Sequence, residues 1–181
     1  MYPDSLKASR RVFSATRFDV HEIEVPGRSG RTFAWQLAVM ADAVAVLPLL
    51  DDDRVVLIRN RRLAVGETLW EVPAGTVEPG EVPDHCADRE LIEETGYRAG
   101  RMRPLLTFFP SPGVCTERMH VFVADDLEPV AEGQALEENE HITVEVLPWE
   151  RSMQMISDGT IRDGKTIATL LYYQALDRKR D

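Results

Sequence analysis

The hydrophobic pattern divides the chain into a strand-rich front and a middle and end that carry helices. "RVFSATRFDVHEIEV", the turn "PGRSG" and "RTFAWQLAVM" read as two or three antiparallel strands joined by a glycine turn, a candidate N-terminal module over residues 1–40. "AVAVLPLL" and "RVVLIRN", on either side of the acidic turn "DDD", form a hairpin whose continuous apolar runs suit buried central strands. "TLWEVPAG" reads as one further short strand ended by Pro and Gly. Beyond it, "PLLTFFP" and "MHVFVADD" bracket the loop "SPGVCTER", and "HITVEVLPW" turns Ile142, Val144 and Val146 inward against Thr143 and Glu145. Helices are expected in "PWERSMQMISDG" and "GKTIATLLYYQALDRKR", the second with a basic last turn that suits the helix dipole. No repeat or low-complexity segment interrupts the order. The expected fold class is therefore mixed α/β: a mixed sheet sandwiched by helices in residues 41–181, with the small antiparallel module in front.

One segment has a different character. "AGTVEPGEVPDHCADRELIEETGY", Ala74 to Tyr97, sets the carboxylates of Glu78, Glu81, Asp84, Asp88, Glu90, Glu93 and Glu94 around a single arginine, Arg89. Pro83 suits a first helical turn, Asp84 favours its N-terminus and Gly96 supplies a left-handed stop, which predicts a helix of about 13 residues. Glu90, Glu93 and Glu94 then fall on neighbouring parts of one face, while Ala87 and Leu91, with Ile92 beside them, mark the packed side. Like charges at those spacings destabilise a bare helix by roughly 0.2–0.5 kcal/mol per pair. The arrangement therefore needs water or a cation. The spacing alone leaves both open: a solvated acidic face with an Arg89–Glu93 ion pair, or a cation site. Glu78 and Asp84 read as simply exposed.

Charge and cysteine content narrow the setting. The chain has 181 residues, enough for one domain with a core and a small extra module, and a formal net charge of −10. That charge argues against nucleic acid or an anionic membrane as the general partner. Cys86 and Cys115 show no close pairing motif and read as reduced thiols of a cytoplasmic protein. No apolar run has the length of a membrane span or the form of a signal peptide.

Gly75, Glu81, Arg89, Glu90, Glu93, Glu94 and Gly96 stand in the order Gly, five residues, Glu, seven residues, Arg-Glu-Leu-x-Glu-Glu-x-Gly, which resembles the signature of the Nudix hydrolases. Seven fixed identities would arise by chance on the order of once in 10⁵ sequences of this length, which decides against coincidence. Tyr97 departs from the usual aliphatic residue at a packing position. The resemblance implies a Nudix fold, an α/β/α sandwich with a mixed sheet, and hydrolysis of a nucleoside diphosphate linked to another group. It implies Mg²⁺, with Mn²⁺ as the alternative, since converging hard oxygens suit such a cation and the cation lets an acidic protein take an acidic substrate. Carried over by the motif, Glu90 and Glu94 are the principal metal ligands. Glu93 lies close by, the Ala74 carbonyl and Glu71 or Glu81 contribute around them, and Arg89 orients the glutamates.

Further segments resemble the ADP-ribose pyrophosphatase and nucleotide-sugar diphosphatase group. "FFPSPGVCTERMHVFVA" places Pro112 sixteen residues beyond Gly96, with Glu117 in the same substrate-side segment. "ALEENEHITVEVLP" is similar to that group's acidic loop, which supplies the catalytic base: Glu138 is favoured as base and Glu140 as its assistant, with Glu137 a bystander. Arg62 corresponds to an arginine that contacts the diphosphate or ribose. Trp35-Gln36 stands where many members carry Arg-Glu, so Trp35, and more weakly Phe18, are candidates for stacking on the base. The resemblance also implies a homodimer in which the front module helps complete the base pocket. Two other readings stand beside this one, a pyrophosphatase that removes nucleoside triphosphates and a non-catalytic nucleotide-binding module.

Overall fold

The computed structural model describes residues 4–51, 53–138 and 140–177. The chain separates into two compact units, one running through Asp42 and including Phe109–Arg118, the other formed by Ala43–Phe108 and the chain from Met119 onward.

In the first unit a short 3₁₀ turn, Asp4–Ala8, precedes three strands, β1 (Arg10–Ser14), β2 (Asp19–Pro26) and β3 (Thr32–Val39), paired antiparallel in that order. Alternation sorts their side chains. Glu22 accepts from Arg10 and Gln36, both at 3.0 Å, on one face. The cross-strand pairs Ile23–Trp35 and Val25–Phe33 lie on the other. Phe33 and Trp35 are more than half exposed there, so Trp35 is not a core residue of its unit. The returning segment Phe109–Arg118 follows β3: Ala38 N–H donates to the Val114 carbonyl and Thr116 N–H to the Ala38 carbonyl, at 2.9 and 3.0 Å.

The second unit is a seven-stranded mixed sheet with helices on both faces. Its strands are β4 (Ala43–Leu50), β5 (Arg54–Arg62), β6 (Glu67–Glu71), β7 (Ala74–Thr76), β8 (Tyr97–Phe108), β9 (Met119–Pro129) and β10 (Ile142–Pro148). The order is β10-β5-β4-β9-β8, with β6 on β5 and β7 on β4. Among the described strands of this sheet only β4 and β9 run parallel. The apolar run of β4 is buried on both faces, as its continuity predicts. Val44 and Val46 pack on Cys86, Ala87 and Leu91 of helix α1 (Pro83–Thr95). Ala43, Ala45 and Leu47 pack on the opposite layer, with Trp149 and Met155 of α2 (Trp149–Ser157) and Leu170 of α3 (Gly164–Tyr172). A fully buried Leu47 contributes roughly 1.5–3 kcal/mol of apolar transfer. Thus a period of two in one strand builds both layers of the α/β/α sandwich.

Three local expectations change. "TLWEVPAG" gives two strands, not one: β6 stays on β5, Pro73 offers its carbonyl to Val46 N–H at 2.9 Å, and β7 moves over to β4. The strands around "PLLTFFP" and "MHVFVADD" are longer than their apolar cores, because arginines at 98, 101 and 103 of β8 lie at an outer strand beside acidic residues such as Asp125. In β10 only Ile142 is buried; Val144 and Val146 are half-buried, as suits a strand at the end of the sheet order. The basic last turn expected after α3 lies outside the described residues, and the described chain ends there in a π turn, Tyr173–Asp177.

Candidate active site

Helix α1 presents its carboxylates in the order the spacing requires. Pro83 occupies the first turn, and Gly96, at φ 71°, ends the helix with its N–H on the Ile92 carbonyl at 2.8 Å. The apolar side sinks between β4 and β9, and Glu90 and Glu94 are drawn in with it: 9% and 3% of their surface stays exposed. β7 closes over them. Ala74 N–H donates to Glu94 Oε2 at 2.8 Å. A Cβ on Gly75 would fall 1.9 Å from the Glu90 carboxyl carbon, so only glycine leaves room for that side chain.

Arg89 gathers the outer carboxylates. Its Nε and Nη2 grip Glu81 at 3.0 and 3.1 Å, and its Nη1 reaches Glu90 Oε1 at 2.7 Å and Glu93 Oε2 at 3.0 Å. The Arg89–Glu93 ion pair of the solvated-face reading is present, and Glu81 and Glu90 share the same guanidinium. Arg89 and the Glu78 N–H hold the Glu81 carboxyl down at about 2. Burial pushes the neighbouring Cys86 thiol up to about 12. Both cysteines are free.

Among the described residues, Glu94 has no comparable cation in contact. Burial pushes its carboxyl up to about 8, reinforced by the negative charges of Glu90 and Glu140 and opposed by the Ala74 N–H and by Arg62. Burial also raises Glu90, against the pull of Arg89. Among the described residues no three such side chains already converge as a ligand set. Two buried hard-oxygen donors with incompletely offset charge nevertheless fit a divalent cation that keeps several waters and reaches its substrate through phosphate oxygens.

The other predicted residues fall into three places. Glu71 is wholly buried and takes Nε and Nη2 of Arg62 at 2.8 and 2.6 Å. On the loop before β10, Glu138 is exposed and Glu140 half-buried; Glu140 acts electrostatically on both Glu90 and Glu94, and its carboxylate accepts the Glu137 N–H at 2.9 Å. Phe18, Trp35, Pro112 and Glu117 all belong to the first unit. Sequence reasoning missed Lys165 and Asp163. Lys165 Nζ donates to Glu71 Oε2 and lies 3.1 Å from Asp163 Oδ2. Their only sequence signal is the helix start "RDGKT", which reads as a cap.

The NUDIX domain family matches residues 39–170. The ADP-ribose pyrophosphatase of Bacillus subtilis is 32% identical over 167 residues, which cover 92% of this chain and 90% of that protein. The GDP-mannose pyrophosphatase of Klebsiella pneumoniae is 39% identical over 128 residues, 66% of this chain and 64% of that one. A crystal structure of an ADP compounds hydrolase superposes with a TM-score of 0.81 at 22% identity, covering 95% of this chain and 92% of its own, a likeness of fold. No helix among the described residues is long and apolar enough to cross a membrane.

Proposed function

This chain belongs to the Nudix family and is a Nudix hydrolase, and we propose that it cleaves the diphosphate of ADP-ribose or a related nucleoside diphosphate sugar, giving a nucleoside monophosphate and a sugar phosphate. The observation that carries this reading is the pair of buried carboxylates, Glu90 and Glu94, kept under β7 by Gly75 and the Ala74 N–H. Nudix hydrolases use divalent metals; here Mg²⁺, with Mn²⁺ as the alternative, is proposed to sit on Glu90 and Glu94 with Glu93 and the Ala74 carbonyl beside them. When bound it supplies positive charge to the diphosphate and a more acidic water.

The chain's own residues do the rest. Arg89 holds Glu90 and Glu93 in place, and Glu81 anchors Arg89 from behind. Arg62, half-exposed, offers its guanidinium to the diphosphate or ribose. A carboxylate already bound to a cation accepts protons poorly, so the base comes from the loop: Glu138 takes the proton of the attacking water, with Glu140 assisting. In the first unit, exposed Trp35 suits stacking on a base, with Phe18 as a weaker aid; Pro112 and Glu117 are proposed as further substrate-binding residues on the resemblance of their segment alone. The open apolar strip of Val25, Phe33 and Trp35 supports a homodimer formed through this module. The free cysteines suit a cytoplasmic enzyme.

A panel of ADP-ribose, GDP-mannose, UDP-glucose and dNTPs with Mg²⁺ tests the substrate class. Monophosphate release from one or more of the sugar nucleotides is expected; turnover of dNTPs alone would replace this reading with the triphosphate pyrophosphatase. Sedimentation velocity should give a dimer for the whole chain and a monomer for Phe33→Asp. A monomeric parent chain overturns the assembly.

A further inference from the structure

Two cations meet the wholly buried Glu71 at the end of β6, and one of them has no place in the proposed chemistry. Arg62 forks onto both oxygens, and Lys165 Nζ donates to Oε2, the same oxygen that takes Arg62 Nη2. Lys165 Nζ also lies 3.1 Å from Asp163 Oδ2. That oxygen also accepts the Thr166 N–H at 2.9 Å and the Thr166 hydroxyl at 2.6 Å, while the Thr166 hydroxyl accepts the Val72 N–H at 2.9 Å. Neighbours on one strand end, Glu71 and Val72, are thus tied to neighbours on α3, Lys165 and Thr166, by separate bonds. Two carboxylates and two cations leave the group with no net charge.

The fork explains what Lys165 adds. The last torsion of a glutamate is soft, so a carboxylate held by one partner can turn about its axis. A bidentate Arg–carboxylate pair is planar, and any turn of the carboxylate swings the guanidinium with it. Lys165, pinned by Asp163, fixes Oε2 in a second direction and so stops that turn. Arg62 Nη1 takes no part in the fork, and the side chain keeps 37% of its surface exposed. Besides Glu71 and Asp163, Glu94 of α1 acts on this guanidinium electrostatically.

We propose that Lys165 is a positioning residue for substrate binding: by sharing Glu71 it fixes the plane and direction of Arg62, and Glu71 serves as their anchor instead of as a metal ligand. The proposal rests on the reading of Arg62 as a contact to the diphosphate or ribose, and the experiment separates the two.

KM and kcat are measured at saturating Mg²⁺ for the parent chain, Lys165→Met, Arg62→Met and the double variant, with whichever of ADP-ribose and GDP-mannose is turned over. Melting temperatures are recorded alongside. Both single variants should raise KM, Lys165→Met by about tenfold, with kcat little changed, and the double variant should be no worse than Arg62→Met alone. If Arg62→Met keeps the parent KM, the reading of Arg62 fails and takes the proposal with it. If Arg62→Met raises KM while Lys165→Met does not, or if the two effects multiply, Lys165 does not act through Arg62 and only the proposal is lost. Should Lys165→Met fail to fold, Asp163→Asn removes one charge from behind the lysine. It should raise KM by about threefold at constant kcat, and an unchanged KM overturns the proposal.

Discussion

Glu71 and Glu94 lie in the same unit, and burial leaves at most 3% of either exposed, yet their surroundings differ. Glu71 is met by an arginine fork and a lysine. Glu94 receives one backbone N–H and feels Arg62 only through space, while Glu90 and Glu140 add negative charge. Taking a carboxylate out of water is costly unless partners replace the water. Around Glu71 the fold supplies those partners from its own side chains. At Glu94 the fold stops short: burial pushes the carboxyl up to about 8, and the proposed cation would supply the compensation that lets it stay ionised.

The largest expected effect is on turnover. Glu94→Gln keeps the size of the side chain but removes its charge, and should lower kcat by about 10³-fold, some 4 kcal/mol of barrier, with the circular dichroism spectrum retained. Glu138→Gln should slow the reaction by about 10²–10⁴-fold for a different reason. The two are told apart by Mn²⁺ titration: Glu94→Gln binds the ion more weakly, Glu138→Gln as tightly as the parent. Parent-like turnover of Glu94→Gln at saturating Mg²⁺ would erase the contrast between the two glutamates.

Next comes stability. Glu71→Gln leaves Arg62 and Lys165 facing each other across a neutral amide, and removing one member of a buried ionic group costs about 3–5 kcal/mol. The midpoint of urea unfolding should fall accordingly, in Mg²⁺ and in EDTA alike. A Glu71→Gln protein as stable as the parent would show the cluster to be solvated and the comparison false.

Cation binding gives the third and smaller shift. A ligand that binds only the folded chain stabilises it by about 2.7 kcal/mol at one hundred times its dissociation constant. Mg²⁺ at that excess should therefore raise the melting temperature of the parent and leave Glu94→Gln nearly unmoved, whereas Lys165→Met should respond as the parent does. An equal response in parent and Glu94→Gln places the ion elsewhere.

The same pair shows why the sequence discloses one site and hides the other. Glu90, Glu93 and Glu94 fall within one short helix, so 3.6-residue spacing and a capping glycine suffice to place them together, and α1 runs from Pro83 to Thr95 as expected. β4 is equally legible, because burial on both faces demands an unbroken apolar run. Lys165 and Glu71 are 94 positions apart, and nothing local in "GKT" says what its lysine meets. The split of β6 from β7 depends on where β5 leaves β4, which is likewise a matter of distant pairing. Charges that meet across the sheet are legible only once the sheet is built.

The smallest effect concerns carboxylates that share the acidic segment but not its interior. Glu78 and Asp84 are exposed, on the turn before α1 and in its first turn. If the segment attracted its cation by bulk charge, neutralising either residue would weaken binding about as much as any other loss of one charge. If position decides, neither should matter, because water already solvates them and salt screens them over about 8–10 Å. The useful part of Glu78 is its backbone N–H, which donates to Glu81 Oε2 at 2.9 Å and survives substitution. Glu78→Gln and Asp84→Asn should accordingly change kcat/KM by less than about twofold at 0.15 M salt, where screening is strong. The Mn²⁺ affinity should move no further. A tenfold loss in either variant would mean that the exposed carboxylates belong to the site, and that the distinction between compensated and open burial is drawn in the wrong place.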